Sequence, residues 1–417
     1  MNQDYRFAHK LIAFVALILI TPLSAQGGEE DPLKSLQKDI CHLISKAKSK
    51  QLSKREIASF SADPLRRKLQ ELNPWLTPGQ IEAKIESCGS SFKFMRSFVS
   101  TYYDLIANGI PGHAKRFAAL RSHQGWIVGD AHPENFGALL NDRGKSTFTM
   151  NDLDDFSQGP LYLDFLRFIS AVKLRDDTIS IKKLLKAYQK GLGGEDRDFS
   201  EATEKLLKKS EKKGLTVDPD LPDDAVALTA AEKARMKKWV QDTLGDEFSF
   251  KDAYQRDREE GGSGGLQRLE LLLASKAKAH ISSDLVPVEL KELTTPSTFP
   301  IQSGPIPSAE KRIEEGLDIT LGRNASHVYR VVEWDGKKML MRPRWDGNLS
   351  TKLKRFDDDE VEDVIKDEAY ELGALHRKSA TDREAYLKAF SEFSVSDWDE
   401  ESDRVAKSIH KIFNDLQ

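Results

Sequence analysis

The sequence contains few cysteines, which limits the covalent and metal chemistry open to it. Its 417 residues include only Cys41 and Cys88. Two cysteines cannot by themselves build a structural zinc site, which takes four ligands. In an oxidising compartment the two could form one disulfide, and two buried thiols are the alternative. The sequence leaves both possibilities open.

An excess of positive charge is also absent. The formal net charge is −4, and no basic cluster stands apart from neighbouring acids. Nucleic acid as the main partner calls for a basic face, so the charge argues against it. Hydrophobic residues make up 39% and charged residues 31%, which predicts a soluble and rather helical globular protein. The length suits two or three domains, and the chain has no internal repeat.

Near the N-terminus the chain carries an apolar stretch too short for a comfortable membrane span. It is LIAFVALILITPLSA, residues 11–25, and it follows the basic residues Arg6 and Lys10. Small residues and then a polar chain come next, which predicts a cleavable signal peptide over 1–27; an uncleaved anchor is the alternative. No cysteine directly follows the stretch, which argues against a lipid anchor. We expect a periplasmic or secreted protein without a stable span after cleavage.

Apolar spacing predicts helices around a short β region. The expected β features are a strand, loop and strand over 123–156 and a hairpin over 326–345 that turns at Asp335-Gly336. The expected helical regions are 33–122, 159–174, solvated helices within 175–250 with a break at 218–224, and an amphipathic helix over 357–380.

Two polar turns directly follow the expected strands. In GWIVGDAHPENFG (125–137), Asp130, His132 and Asn135 come after an apolar run. The second strand ends in NDLDD, which contains Asp152 and Asp154. Carboxylate and amide oxygens suit Mg²⁺, which usually shares its ligands with phosphates. The alternative is two acidic turns that cap helices.

These motifs resemble a known family. GDAHPEN resembles the catalytic loop of the protein-kinase-like fold, in particular its aminoglycoside and choline kinase branch, and NDLDD resembles that fold's metal-binding turn. VGDAHPENFG, NDLDDFSQGPLYLDFLRF and YELGALHRKSATD more closely resemble the uncharacterised bacterial DUF2252 family, itself similar to kinases. The loop departs from many kinases by reading Val128-Gly129 where they have a histidine.

The resemblance implies a role for each site residue. Asp130 would be the catalytic base, and Asn135 and Asp152 would bind Mg²⁺, with Asp154 as the competing metal ligand. His132 matches the histidine of the loop, as a catalytic residue or, more simply, as a hydrogen-bonding residue that shapes the loop. Asp164 in GPLYLDFLRF would anchor the loop.

A kinase-like site also needs groups that hold phosphate, and no glycine-rich loop precedes residue 125. Downstream, GGSGG comprises Gly261, Gly262, Ser263, Gly264 and Gly265. Glycines let backbone N–H groups approach phosphate, and a flexible linker is the alternative. Lys291 in VPVELKEL follows, with Glu315 as its expected partner and Glu314 as the rival. Arg342 matches a family position, but the sequence around it, taken alone, favours an ordinary exposed arginine on a strand.

The resemblance therefore implies an α+β, protein-kinase-like fold in circularly permuted order. A mostly helical large lobe would be joined by a smaller β-rich lobe that follows the catalytic loop. The expected segments are a signal peptide (1–27), a helical segment (28–122), a large-lobe core (123–255), a small-lobe-like β region (256–350) and a C-terminal helical segment that packs on the large lobe (351–417).

The leading functional hypothesis is an ATP- and Mg²⁺-dependent phosphotransferase with an unknown small-molecule or protein acceptor. Transfer of AMP on the same fold is a variant. The alternative from another class is a secreted pseudokinase that binds a nucleotide, metabolite or protein. A two-metal phosphatase ranks lower, because the nine histidines include no His-x-His pair.

Overall fold

Helices make up most of the described chain before residue 122 in the computed structural model, as the apolar spacing predicts. Proline begins two of them at Pro64 and Pro78, where its missing N–H costs nothing. Asp63 and Thr77 cap these helices, and Thr77 forms a reciprocal capping box with Gln80. The helices are α1 (Lys54–Ala62), α2 (Pro64–Leu72), α3 (Pro78–Ser87), α4 (Ser91–Ser97), α5 (Val99–Asp104), α6 (His113–Arg116) and α7 (Ala118–Arg121), with a π-helical turn at Leu105–Gly109.

The structure describes residues 54–196, 198–217, 222, 225–256, 264–276 and 280–417. Several sequence predictions fall outside the described residues. They are the signal peptide at 1–27, Cys41, and Gly261, Gly262 and Ser263 of the glycine-rich segment. Cys88 is described and is a buried free thiol.

Four short strands follow α7 and carry the polar turns between them. β1 (Gln124–Ile127) pairs antiparallel with β4 (Ser157–Pro160). β2 (Phe136–Leu140) and β3 (Ser146–Met150) form a hairpin, which β11 (Leu349–Ser350) extends. The strand–loop–strand prediction is confirmed at β1 and β3. β2 and β4 were missed, and the helix expected from residue 159 begins only after β4.

The helices after β4 build the main hydrophobic core together with the N-terminal helices. Within 175–250 the prediction of solvated helices is wrong in part, because Leu184, Tyr188 and Met236 are fully buried. The amphipathic helix expected over 357–380 is confirmed. The helices are α8 (Tyr162–Arg175), α9 (Ile181–Gly193), α10 (Glu201–Lys213), α11 (Ala230–Leu244), α12 (Ala309–Thr320), α13 (Asp358–Ser379), α14 (Arg383–Ser391) and α15 (Val395–Leu416).

A six-stranded antiparallel sheet with its own hydrophobic cluster lies downstream of the polar turns in the chain. The hairpin expected at Asp335-Gly336 is confirmed, and both turn residues have the positive φ that a tight hairpin turn requires. The strands, in spatial order, are β5 (Ala225–Ala227), β6 (Phe248–Arg256), β7 (Arg268–Ser275), β8 (Leu285–Glu292), β10 (Lys337–Pro343) and β9 (Arg330–Trp334).

Antiparallel strands and numerous helices confirm the α+β class. The expected boundary at residues 255 and 256 falls at the last residues of β6, and the six-stranded sheet begins earlier, at β5. The division into two lobes therefore stays a prediction. Within the described ranges, no helix is both long and apolar enough to cross a membrane.

Candidate functional site

Gly129 turns the chain sharply after β1. Its φ is +80°, in the left-handed region that glycine adopts without strain. A Cβ atom here would lie 2.4 Å from the backbone oxygen of Asp155. The turn after β1 therefore packs directly against the turn after β3, which brings the two acidic motifs of the sequence together.

Asp164, at the start of α8, anchors the first turn. Its carboxylate accepts hydrogen bonds from the backbone N–H groups of Val128 at 2.6 Å and Gly129 at 3.1 Å. His376 of α13 lies 3.0 Å from the same carboxylate through Nε2, and both side chains are fully buried. This contact is the anchoring role that the family resemblance implies for Asp164.

Asp130 is held by a buried arginine that the sequence did not single out. Nη2 of Arg167 donates to Oδ1 of Asp130 and, at 2.9 Å, to the carbonyl of Met95. Burial by itself would raise the pKa of Asp130, but His132 and Arg167 outweigh it and hold that pKa well below its usual value. Asp130 is therefore ionised at neutral pH, a weak proton acceptor but a good hydrogen-bond acceptor.

His132 is nearly enclosed, with 3% of its surface exposed. Its Nδ1 donates to the carbonyl of Pro133, and its Nε2 lies 3.3 Å from Oδ2 of Asp130. Its ring meets Phe92 edge to face. These contacts favour the loop-shaping role over the catalytic one.

Asn135 connects the two turns. Its side-chain Nδ2 donates to the carbonyl of Asp130 at 3.0 Å, and its own carbonyl accepts from the backbone N–H of Asn151 at 3.1 Å. Because the amide nitrogen takes part in the bond to Asp130, the amide oxygen is the end of this side chain suited to a cation.

Lys291, on β8, joins the six-stranded sheet to the second turn. Its Nζ donates to both carboxylate oxygens of Asp152, at 2.9 and 2.7 Å, and lies 2.6 Å from Oδ2 of Asp154. Burial raises the pKa of both acids. At Asp152 the charges of Lys291 and Arg342 outweigh burial and lower the pKa, whereas at Asp154 the charge of Asp152 raises it further.

Arg342 is not the exposed arginine that the surrounding sequence alone suggested. It is 8% exposed, its Nε donates to Glu289 at 2.5 Å, and its Nη1 donates to the carbonyl of Asn151 at 3.0 Å. Glu289 also accepts from Arg268 at 2.8 Å. Neighbouring strands in register place these side chains on one face of the sheet, so that face is strongly charged where it meets the second turn.

The expected pair of Lys291 with Glu315 is not formed. Glu315 accepts from Lys311 of its own helix at 2.7 Å, because it lies off the buried stripe of α12, and Glu314 is exposed. The residue of α12 that reaches the turn is Arg312. Its Nη1 donates to the carbonyls of Asp154 at 2.5 Å and Phe156 at 3.2 Å.

The described end of the glycine-rich segment contacts the N-terminal helices. Gly265 has φ +82°, and a Cβ there would lie 2.8 Å from Cδ2 of Leu76. Its carbonyl accepts from Nε2 of Gln80 on α3 at 3.2 Å, and Gly264 beside it is buried. The segment therefore reaches α3, although its approach to a phosphate stays a prediction.

Asp155 is the third acid of the second turn, and its pKa is strongly raised. Burial, followed by the charges of Asp154 and Asp130, raises its pKa to about 7. The backbone N–H of Ser297 donates to its Oδ1 at 2.6 Å. The two turns therefore bring four acids together: Asp130 from the first, and Asp152, Asp154 and Asp155 from the second.

The donor set fits a Mg²⁺ ion that is shared with phosphates. In the part of the chain that the structure describes, no three His, Cys, Asp or Glu side chains are arranged to hold a metal by themselves. Mg²⁺ commonly takes one or two carboxylates and completes its shell with water and phosphate. The ammonium group of Lys291 already lies between Asp152 and Asp154, which indicates that this position stabilises a cation.

Sequence reasoning missed three basic residues near the acidic turns. Arg167, Arg312 and Lys84 lie on helices and are at most 2% exposed. A local signal was present only for Arg167, which stands in the apolar run DFLRFISAV on a predicted helix. Lysine and arginine on helices are usually solvated, so that signal is weak without the structure.

Residues 85–184 match the family model described as "Uncharacterized protein conserved in bacteria (DUF2252)". The match covers both acidic turns and Asp164, whereas the third motif of the resemblance, YELGALHRKSATD (370–382), lies outside it. No curated protein and no solved structure gave a match.

Proposed function

We propose that the protein is an ATP- and Mg²⁺-dependent phosphotransferase of the kinase-like fold. The observation that carries the proposal is Lys291, which comes from the sheet and contacts the acids of the second turn beside Asp130. In kinases a strand lysine, a metal-binding aspartate and a catalytic-loop aspartate and asparagine lie around the transferred phosphate. Here Lys291, Asp152, Asp130 and Asn135 supply the same four chemistries.

Chain order gives independent support. The glycine-rich segment lies between β6 and β7, Lys291 is on β8, and the helix α12 follows. A kinase glycine loop likewise precedes a lysine on the third strand and then a helix. Because this unit comes after the catalytic turns in the chain, the proposal includes a circular permutation of the kinase order.

In the proposed reaction, an acceptor hydroxyl oxygen forms a bond to the γ-phosphorus of ATP while the bond from that phosphorus to the β–γ bridging oxygen breaks. ADP leaves, and the hydroxyl proton passes to Asp130 or to water. Asp130 mainly orients the hydroxyl, since its pKa is held low and a loose transition state needs little base strength. Asp152, Asn135 and Asp154 would hold the Mg²⁺ ion, and the ion would supply the positive charge that neutralises the phosphate oxygens.

The proposal also places the reaction in the periplasm or outside the cell. The apolar stretch at residues 11–25 supports this location. ATP is scarce there, so the nucleotide would have to be supplied locally.

A second candidate is a nucleotide- or metabolite-binding module without catalysis. The bond between Arg167 and Asp130 favours it, because a carboxylate already paired with a guanidinium has less capacity to accept a proton. Under this reading nucleotide binds but no phosphate is transferred.

The test is calorimetric titration of the purified full chain with ATP, with and without Mg²⁺. We expect Mg²⁺-dependent binding in the wild type and a loss of affinity of about tenfold or more in Asp152→Asn. The matched control is Asp318→Asn, at an exposed position of α12. Absence of ATP binding to the wild type under both conditions would exclude both candidates in their nucleotide form. Binding of ATP with no detectable ATP turnover would favour the second candidate, the binding module without catalysis.

A further inference from the structure

One face of α3 carries two polar side chains toward the site. Gln80 and Lys84 are four residues apart on this helix, so they lie on the same face, about 6 Å apart along its axis. Lys84 is 1% exposed, although lysine is among the residues least often buried. Burying an ammonium group costs free energy unless nearby groups compensate its charge, so the surroundings of Lys84 must stabilise a positive charge.

The first of these side chains contacts the glycine-rich segment. Nε2 of Gln80 donates to the carbonyl of Gly265 at 3.2 Å, and Leu76, just before the helix, lies against Gly265. The N-terminal end of α3 therefore lies at the place where the proposed function needs the backbone that binds phosphate.

The second side chain lies beside the residue that follows α4. Nζ of Lys84 lies 5.2 Å from the ring centroid of Phe98. Phe98 directly follows α4, and the carbonyl of Met95 on α4 accepts from the same Arg167 guanidinium that holds Asp130. Lys84 and the Arg167 guanidinium that holds Asp130 therefore contact the same short segment, from Met95 to Phe98.

Electrostatics agree with this placement. Burial lowers the pKa of Lys84 to about 8, and the charge of Cys88, followed by those of Asp155, Asp130 and Asp154, acts in the opposite direction. These three acids come from both turns. The ammonium group is therefore close enough to the centre of the site to be affected by all of them.

We propose that Lys84 is a second phosphate-binding lysine, which contacts the terminal phosphoryl group of ATP from α3, whereas Lys291 contacts the phosphates from β8. This inference rests on the proposed function and adds a role for the helical segment before the catalytic loop. In this role the ammonium group would meet the group that is transferred, whereas Lys291 reaches it from the sheet. A permanent counter-ion for the acids is the competing role.

The two roles differ in their response to the number of phosphates. A lysine that contacts the γ-phosphate contributes to binding of ATP but not of ADP. A counter-ion for the acids affects both nucleotides equally, through the metal site. The experiment is calorimetry of Mg²⁺·ATP and Mg²⁺·ADP binding to the full chain, for the wild type, Lys84→Met, Lys84→Gln and Lys84→Arg, with Lys93→Met at an exposed position of α4 as control.

We expect Lys84→Met to lose about tenfold or more in affinity for ATP, and about twofold at most for ADP. Lys84→Gln should show the same selective loss, so the test survives if one variant folds poorly, and the thermal midpoint of each variant is measured. Lys84→Arg should recover part of the ATP affinity, and Lys93→Met should match the wild type.

Equal losses for ATP and ADP, or no loss for either, would overturn the inference about Lys84. Either result would leave the proposed function in place, provided that the wild type binds ATP with Mg²⁺. A wild type that binds neither nucleotide would instead overturn the proposed function, and the role of Lys84 with it.

Discussion

At the scale of single residues, Lys291 is the side chain that decides how the acidic turn behaves before a ligand arrives. Its ammonium group lies within 3 Å of carboxylate oxygens on both Asp152 and Asp154. A divalent cation would compete for the same oxygens. On the proposed function, metal alone should therefore bind poorly, whereas a nucleotide that binds with the metal would draw Lys291 toward its phosphates.

Replacing Lys291 by methionine should open the cation position. We expect Lys291→Met to bind Mn²⁺ without nucleotide about tenfold more tightly than the wild type, because the competing charge is gone and the shape of the side chain is largely kept. Electron paramagnetic resonance of free Mn²⁺ at pH 8 measures this directly. Lys338→Met, on the exposed side of β10, is the control. Equal Mn²⁺ affinities in the wild type and Lys291→Met would show that Lys291 does not compete with a metal ion for the carboxylate oxygens of Asp152 and Asp154.

Which residues of the site could be predicted depended on how local their signals are. Asp130, Asn135, Asp152 and Asp154 stand in short motifs next to strands, and such motifs are visible in the sequence. Their basic partners come from distant helices and strands. Arg312 is 158 residues from Asp154, and no local spacing relates the two.

At the scale of elements, the site depends on two turns that touch each other. Gly129 makes the contact possible, since a Cβ atom there would meet Asp155 at 2.4 Å. The ladder between β2 and β3, which pairs Phe136 with Met150, joins the end of the first turn to the start of the second, and the contact at Gly129 closes the turns against each other on the other side.

Alanine at Gly129 should therefore destabilise the fold and separate the acids. Gly129→Ala is expected to lower the free energy of unfolding by about 3 kcal/mol, from backbone strain together with the clash. Gly112→Ala is a matched control, because Gly112 has a similar φ of +78° but no atom within 4 Å of the added Cβ. It should cost only about 1 kcal/mol. Urea unfolding of both variants gives the comparison, and equal losses would mean that the turns do not press on each other.

Element prediction succeeded where the apolar spacing was long and regular. α13 and the β9–β10 hairpin were expected, because a 22-residue amphipathic pattern and an Asp-Gly turn are strong local signals. β2 and β4 were missed for different reasons. The five residues of β2 are buried throughout and show no alternation, and β4 contains Gly159 and Pro160, which usually begin a helix or a turn.

At the scale of the whole molecule, several buried acids make stability depend on pH. Burial raises the pKa of Glu368 on α13 well above its usual value, and that of Asp155 to about 7. A group with a higher pKa in the folded state binds its proton more tightly there than in the unfolded chain. Its contribution to stability is therefore complete below the unfolded pKa of about 4 and is lost as the pH rises toward the folded pKa.

The wild type should accordingly lose stability between about pH 5 and pH 8, and Glu368→Gln should lose less. Glutamine keeps an oxygen to accept the hydrogen bond from Thr351, which is 2.7 Å long in the wild type. Each unit of pKa difference corresponds to about 1.4 kcal/mol, so the variant should be the more stable protein at pH 8. Urea midpoints at both pH values test this, with Glu384→Gln, at an exposed position, as control. A wild type whose midpoint rises with pH would contradict the assignment.

Lys291 and Asp152 are 139 residues apart in the chain, which affects the order in which the site can form during synthesis. The ribosome releases the acidic turns long before it has made Lys291, Arg312 and Arg342. Until those cations exist, enclosing the carboxylates is costly. We therefore expect the acidic turns to close around their carboxylates only after β8, α12 and β10 have been made.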